Sequence, residues 1–433
     1  MTNQKPIVIA PVKGKGTRLY PLTIYDSKSL IGIANQPALE RIFENLAFYG
    51  CRNFWIIGEY QLYSYFRRGE SFSERLNLEP NAMFNYTTEE DIGNADGVRK
   101  LLDKVHKKGG NKIEGEILIA GGDNFTDINV DEMLKTHRDN NADLTVALTE
   151  VDDVSQYGIA RLDGKRVVEF VEKPKPEEAP TKLGSMFCYL ATASTLKDFF
   201  KNKGKDFTDF GSQVIPTMTK ECKVYGYQHK GYWKDIGSPE NLLQTSLDIL
   251  SGKIRKIDIE ERMHPTSEKS IGHNVDMENA LIGANVEIGD NVKLRNVCIE
   301  DNCIIEDCAE IENSMVYFSA RVGKQNKIRQ SIIGRFAYTG EKSVIGSYDI
   351  DKVSVIGNNV RMGNEWIIWA GELLTPYTPT TMKRIKDATV AGNDLYKVVN
   401  VDNPLGKYII FFVSRRTLHE NYKGLPPPIF IKY

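Results

Sequence analysis

The sequence predicts two architectures in one chain, an α/β domain with a mostly parallel sheet and then a parallel β-helix. Two observations carry this. Over roughly the first 240 residues, short apolar runs alternate with segments of helical spacing. From Ile271 to Leu373, aliphatic residues instead recur at steps of 6, 6 and 5. The length agrees, because 433 residues exceed what one core usually holds, roughly 250–300.

In the first part, Ile7–Ala10 reads as a buried strand. Ala38–Tyr49 reads as a helix with Pro37 near its start. Asn53–Ile57 is a strand, and Val98, Leu101, Leu102 and Val105 give Asp96–Lys107 one apolar helical face. Glu116–Ala120 and Asp143–Leu148 are strands, with a helix starting at Val130–His137 between them. Arg166–Val171 is a further strand. Strands alternating with helices imply a sheet covered on both faces, with ligands bound beyond the carboxyl ends of the strands. Ser238–Leu250 closes this part as a helix, with Ser238 at the N-cap and Pro239 at the first helical position.

The second part follows Ser251-Gly252. Its apolar series runs Ile271, Met277, Ile282, Ile288, Leu294, Ile299, Ile305, Ile311, Val316, Val322, Ile328, Ile333, Thr339, Ile345, Ile350, Ile356, Met362, Ile367, Leu373. Thr339 is the one residue that is neither aliphatic nor Met, so chance does not sustain the register. Three steps make one turn with three short sides, and no turn buries its face alone, so turns must stack. Gly272, Gly283, Gly289, Gly323, Gly334, Gly346, Gly357 and Gly363 follow inward positions and suit corners. The expected boundaries are 1–240, a connecting helix and linker at 241–264, the β-helix at 265–379, and a tail at 380–433. In the tail Tyr408–Val413 is a strand candidate and Leu425–Pro428 is extended.

Composition excludes several classes of function. A formal net charge of −2 leaves no global basic field for nucleic acid. No apolar run approaches the roughly 20 residues of a membrane helix. The opening Met1-Thr2-Asn3-Gln4-Lys5 lacks a signal-peptide core, and the six cysteines form no C-x-x-C pair, so a reducing cytoplasm is expected.

The residues that suit chemistry stand at strand ends. After the first strand, Gly14-Lys15-Gly16-Thr17-Arg18 is a glycine turn with backbone N–H groups to cradle an anion. With Arg18 and Lys28 as cations it suits a nucleoside triphosphate, although the Walker A spacing is absent and a surface turn has the same composition. Asp123 ends the run Ile117-Leu118-Ile119-Ala120-Gly121-Gly122, which suits a metal ligand or a turn cap. Asp127 nearby reads as a turn or cap residue. Asp235, in Trp233-Lys234-Asp235-Ile236-Gly237, reads as a ligand or a pre-helix loop residue. Glu172-Lys173-Pro174 reads as a charged pair at a strand tip.

Together these segments resemble the sugar-phosphate nucleotidyltransferases, the NDP-sugar pyrophosphorylases. Gly14, Gly16, Thr17, Arg18, Leu19, Pro21, Leu22, Thr23, Lys28 and Leu30 match the family's opening signature, and Asn35-Gln36-Pro37-Ala38-Leu39-Glu40 resembles its N-K-P-x-L-E. Pro11-Val12-Lys13 replaces the family's L-A-G, which puts Lys13 against the nucleotide. The resemblance implies a Rossmann-like domain and a left-handed β-helix of hexapeptide type. It implies NTP and sugar 1-phosphate as substrates, with Mg²⁺ held by Asp123 and Asp235. Arg18, Lys28, Asp123 and Lys173 would carry catalysis. Lys13, Gly14, Gly16, Thr17, Thr88 and Gly93 would bind nucleotide, with Thr88 where many members have a base-reading Gln. Tyr157, Gly158, Glu172 and Lys173 would bind the sugar phosphate. Family branches with such a β-helix use it for subunit contacts, so a homo-oligomer is expected, with no nucleic acid and no membrane as partner. Two alternatives stand beside this reading. An acyltransferase in the β-helix would need a base such as His264 or His273, and the departure at Lys13 admits a non-catalytic subunit that binds nucleotide-sugar.

Overall fold

The computed structural model describes residues 4–12, 14, 16–24, 26–58, 62, 83–87, 93–107, 113–254, 271–346, 352–368, 370–375, 395–400, 409–414 and 429–431. These form two compact units: Met1–Gly16, Asp26–Ile31 and Gln36–Ile236 in the first, and Thr17–Tyr25, Gly32–Asn35 and Gly237–Tyr433 in the second.

The first unit is built on a nine-stranded sheet. Its strands are β1 (Ile7–Pro11), β2 (Asn53–Ile57), β3 (Met83–Thr87), β4 (Glu116–Ala120), β6 (Leu144–Glu150), β7 (Gly158–Asp163), β8 (Arg166–Glu172), β9 (Leu183–Thr192) and β10 (Val224–Gln228). Outside the sheet, β5 (Asn124–Thr126) pairs with β11 (Trp233–Asp235). The order is β3-β2-β1-β4-β9-β6-β10-β8-β7. β1 is buried at every position and sits between β2 and β4, parallel to both. Such a strand needs cover on both faces. Helices supply it: α1 (Ala38–Phe48), α2 (Asn94–Lys107) and α3 (Val130–Asp139) bury Leu39, Phe43, Val98, Leu101 and Met133. The Asn129 side chain caps α3 by accepting from the Asp131 and Glu132 amides.

The other half of the sheet departs from the expected mostly parallel arrangement. β9 runs antiparallel to β4 and to β6, and β7 and β8 form an antiparallel hairpin. Gly164, at φ +60°, turns the hairpin within too few residues for a helical crossover. The sheet is therefore mixed, with β6 and β10 its last parallel pair.

In the second unit, the helix Pro239–Leu250 is capped by Ser238, whose hydroxyl accepts from the Asn241 amide at 3.3 Å. The strands Asp276–Ile282, Lys293–Ile299 and Glu310–Val316 stack in parallel, with Met277, Leu294 and Ile311 in one column. Leu294, Ile299, Ile305, Ile311, Val316, Val322, Ile328 and Ile333 fill the interior. These stacked strands fit a β-helix. Polar ladders run beside the apolar one. Asn279 donates to Asn296, and Asn296 to Asn313, each to the residue 17 positions on.

Two details differ from the sequence reading. Of the eight glycines assigned to corners, only Gly346 has positive φ. The left-handed corner positions belong largely to Asn, for example Asn274, Asn285, Asn291, Asn296 and Asn302. The glycines answer a different need, close approach of one coil to the next. A Cβ on Gly323 would lie 1.7 Å from the Gly340 carbonyl oxygen. The second difference is register. Ile328 stacks on Ile345, but Ile333 stacks on Ile356, so six extra residues enter between Ile345 and Ile356. Ile350 falls in this stretch and outside the described residues. The next three sides are each six residues long, which turns Met362, Ile368 and Leu374 inward and leaves Ile367 and Leu373 at 48% and 43% exposure. Met277, in the first described coil, is also 43% exposed. In the tail, Leu395–Asn400 pairs antiparallel with Ile409–Ser414 and with Ile429–Ile431. The extended segment Leu425–Pro428 lies outside the described residues.

Gly323→Ala is expected to destabilise this unit by about 2 kcal/mol, because the obstacle is backbone and cannot rotate away. Thermal melting checks it through a fall in midpoint of about 4–8 °C.

Candidate active site

β5 and β11 form a ribbon three residues long that pairs Thr126 with Trp233, Phe125 with Lys234, and Asn124 with Asp235. Asp123 lies one residue before β5, so the register sets it beside Asp235. The Ile236 amide donates to the Asp123 carbonyl at 3.0 Å and closes this end. Gly121 and Gly122 bring the chain here through a space without room for side chains. A Cβ on Gly121 would lie 2.5 Å from the Phe187 ring, and one on Gly122 would lie 2.2 Å from Val12 Cγ1.

Lys28 stands in the one-turn helix Lys28–Leu30. Its Nζ is 2.5 Å from Asp123 Oδ2 and 3.9 Å from Asp235 Oδ1. The Lys28 side chain is only 11% exposed. Asn124 donates to the other Asp123 oxygen at 2.8 Å. Two carboxylates from distant segments thus face one cation. Their hard oxygens suit a divalent ion of the Mg²⁺ type, which takes one or two carboxylates and completes its shell with phosphate and water. Among the described residues no group of three or more His, Cys, Asp or Glu side chains could hold a metal. The donor set fits an ion that arrives with phosphate oxygens, not one caged by protein alone.

A second cluster lies at the end of β8. Lys173 adopts φ +47°, strained for a lysine, while its amide donates to the Tyr157 carbonyl at 3.0 Å. Its side chain is 61% exposed, and its Nζ lies 3.9 Å from Glu172 Oε1. Glu172 is held between two glycines. A Cβ on Gly158 would lie 2.7 Å from Glu172 Oε2, and one on Gly211 would lie 2.3 Å from it. Burial raises the Glu172 pKa above the usual glutamate range, and the charge of Asp209 raises it further, while Lys173 opposes. Asp209 accepts from the Asn94 side-chain amide at 2.8 Å, and Asn94 Oδ1 accepts from the Phe210 amide at 2.8 Å. Gly93 packs so closely on Thr208 that a Cβ would lie 2.2 Å from its carbonyl oxygen. The Tyr157 ring meets Trp233 edge-on at 5.1 Å, which sets this cluster against β11.

The fold brings Asp123, Asp235 and Lys28 together, and separately Tyr157, Gly158, Glu172 and Lys173. It ties Gly93 to the second cluster through Thr208. Of the two glycines in the opening turn, Gly16 has φ +57° and needs the absence of a Cβ, whereas a Cβ on Gly14 would meet nothing within 4 Å. Thr17 and Arg18 lie in a one-turn helix assigned to the second unit. Lys13 and Thr88 lie outside the described residues. Asp209 and Gly211 were not picked out from the sequence. Thr208-Asp209-Phe210-Gly211 carries a cap residue and a glycine, and that pairing was the available signal.

Comparison with known proteins gives two family matches. Residues 5–252 match the model for nucleotidyl transferase, and residues 276–390 match that for the GMPPB C-terminal domain. Among curated relatives, glucose-1-phosphate adenylyltransferase of Clostridium botulinum (strain Eklund 17B / Type B) is 32% identical over 238 residues, covering 47% of this chain and 61% of the relative. The enzyme of the same name from Clostridium botulinum (strain Alaska E43 / Type E3) is 31% identical over 237 residues, with the same coverage. The chain thus spans about three fifths of the length of these relatives. Among the described residues, no helix is long and apolar enough to cross a membrane.

Proposed function

We propose, because this chain belongs to the nucleotidyl transferase family, that it makes an NDP-sugar and pyrophosphate from a nucleoside triphosphate and a sugar 1-phosphate. The observation that carries this reading is the convergence of Asp123 and Asp235 on Lys28 Nζ, at 2.5 and 3.9 Å. In the reaction, an oxygen of the sugar phosphate attacks the α-phosphorus and the bond from that phosphorus to the pyrophosphate breaks. The chemistry asks for positioning and charge neutralisation, not for a protein nucleophile. Mg²⁺, held by Asp123 and Asp235, supplies charge neutralisation at the phosphates when bound. Lys28 adds a fixed cation beside the same carboxylates. Arg18, with the turn of Lys13, Gly14, Gly16 and Thr17, takes the triphosphate, and Thr88 and Gly93 take the base side. Lys173, its side chain exposed just past the end of β8, grips the sugar phosphate. Glu172 accepts from sugar hydroxyls, with Tyr157 and Gly158 beneath the ring.

We assign this chemistry to residues 1–240, a connecting segment to 241–264, a left-handed β-helix that joins subunits of a homo-oligomer to 265–379, and an appended tail to 380–433. A cytoplasmic site suits both nucleotide and sugar phosphate. A matrix of nucleoside triphosphates against sugar 1-phosphates, read as pyrophosphate release with Mg²⁺, tests the function. Glucose 1-phosphate with dTTP, UTP and ATP is the first row; the relatives' printed name motivates ATP. One pair is expected to dominate. Binding of NDP-sugars with no turnover of any pair overturns the reading.

Gly211→Ala tests the sugar assignment separately. The added methyl drives Glu172 off its position, and Gly158 leaves no room on the other side. The KM for sugar 1-phosphate is expected to rise about tenfold, while the KM for the nucleotide stays within about twofold. Steady-state kinetics checks the split.

A further inference from the structure

The ribbon that carries Asp123 and Asp235 is too short to set its own register. Each strand has three residues, and an isolated two-stranded ribbon is marginal in water. A slip of one residue would turn every side chain to the opposite face. Asp235 would then leave the face on which it meets Asp123 and Lys28. The Ile236 amide closes one end on the Asp123 carbonyl, and the far end of the ribbon carries a second, side-chain lock.

One residue beyond β5, the Asp127 amide donates to the Tyr232 carbonyl at 3.2 Å. In return, Asp127 Oδ1 accepts from the Tyr232 amide at 2.7 Å. His229 Nε2 stands 3.0 Å from the same carboxylate oxygen and 3.2 Å from the Tyr232 carbonyl. These two nearest neighbours are pure acceptors, so Nε2 carries the hydrogen, with the Thr126 hydroxyl farther off at 3.5 Å. The His229 amide is itself anchored to the Leu148 carbonyl of β6 at 2.8 Å. The knot is tightly closed: the side chains of His229 and Asp127 are 4% and 12% exposed. A Cβ on Gly231 would lie 2.2 Å from Asp127 Oδ1, so the loop between the partners admits only glycine there.

We propose that Asp127 and His229 are positioning residues that lock β5 against β11 and so aim the Asp123 and Asp235 carboxylates at one shared cation. Neither touches substrate; both act through the ribbon. The proposal rests on the nucleotidyl-transfer reading for its kinetic consequence, but its structural consequence is readable without turnover.

The test uses the full chain with Asp127→Ala, Asp127→Asn and His229→Phe, and Mn²⁺ as the probe. Asn keeps an oxygen for the Tyr232 amide, whereas Ala removes it and Phe removes the histidine donor. Electron paramagnetic resonance counts bound Mn²⁺ in the presence of a nucleoside triphosphate. Asp127→Ala and His229→Phe are expected to weaken Mn²⁺ binding at least about tenfold and lower kcat by a similar factor. The KM for sugar 1-phosphate stays within about twofold, and Asp127→Asn restores Mn²⁺ binding to within about threefold of wild type. Wild-type Mn²⁺ affinity in both Asp127→Ala and His229→Phe overturns the proposal. So does failure of Asn to rescue, or a joint fall of Mn²⁺ affinity, kcat and sugar affinity that tracks the melting temperature. If Asp127→Ala does not fold, His229→Phe and Asp127→Asn decide by the same readings. A wild-type chain that releases no pyrophosphate with any pair sinks the nucleotidyl-transfer reading, while the Mn²⁺ comparison still judges the knot.

Discussion

Asp123→Asn lowers pyrophosphate release at least about 100-fold while the protein stays folded. The change removes one negative charge and almost no volume. The Asn124 amide still finds an oxygen at the position it now reaches at 2.8 Å. Lys28 loses its nearer carboxylate and keeps only Asp235, 3.9 Å away. The Asp123 side chain is 32% exposed, and the Asp235 carboxylate stays as a counter-charge for Lys28, so no buried cation is left alone. The melting temperature should therefore move by only a few degrees, while one of two carboxylates available to a divalent ion is gone. Pyrophosphate release and a thermal melt, measured on one preparation, check both halves. An unchanged rate would sink the assignment of Asp123 to the reacting centre.

Acid should destabilise the first unit through His137. Its Nδ1 lies 2.9 Å from the Thr145 hydroxyl, and its Nε2 lies 3.1 Å from the Thr192 hydroxyl. Thr192 spends its own hydrogen on the Ala142 carbonyl at 3.1 Å. Nε2 must therefore donate to Thr192, and Nδ1 accepts from Thr145, which suits a neutral ring. Burial pushes the pKa of His137 down to about 4, against an opposing pull from Glu116 and Asp143, while Arg138 pushes the same way as burial. In the unfolded chain the ring titrates near its ordinary value of about 6.5. A depressed histidine gives its full contribution above the unfolded value. That contribution is lost as pH falls from about 6.5 to about 4, and below that the loss is complete. The size is about 3 kcal/mol, from about 1.4 kcal/mol per pH unit. Urea titrations at several pH values should show this slope in the wild type and a flatter one in His137→Asn. Parallel slopes in the two proteins would reject His137 as the source.

The parallel half of the sheet was legible because β1, β2 and β4 are unbroken apolar runs of the kind that only a doubly covered sheet requires. The antiparallel half was not. β7 and β8 are only partly buried and turn on Gly164, and the pairing of β9 depends on a bulge at Met186–Cys188 that no periodicity announces. The stacked coils were legible from one column of aliphatics, since each inward residue repeats the physics of the last. The six extra residues were hidden because six is itself one step of the pattern. At the site, the positions of Asp123, Asp235 and Lys28 at strand ends and turns could be read, but their convergence depends on ribbon pairing between distant segments. Asp209 and Gly211 act only through their distance to Glu172, and a sequence has no record of distance.

The longer coil shows how this half of the chain can change size. Because the six added residues equal one side of a turn, Ile345 still stacks on Ile368 and Ile333 on Ile356. The stretch after Gly346 is thus a natural splice point. Peptides whose ends return to the same edge could be grafted there, and the stack above and below would keep its phase.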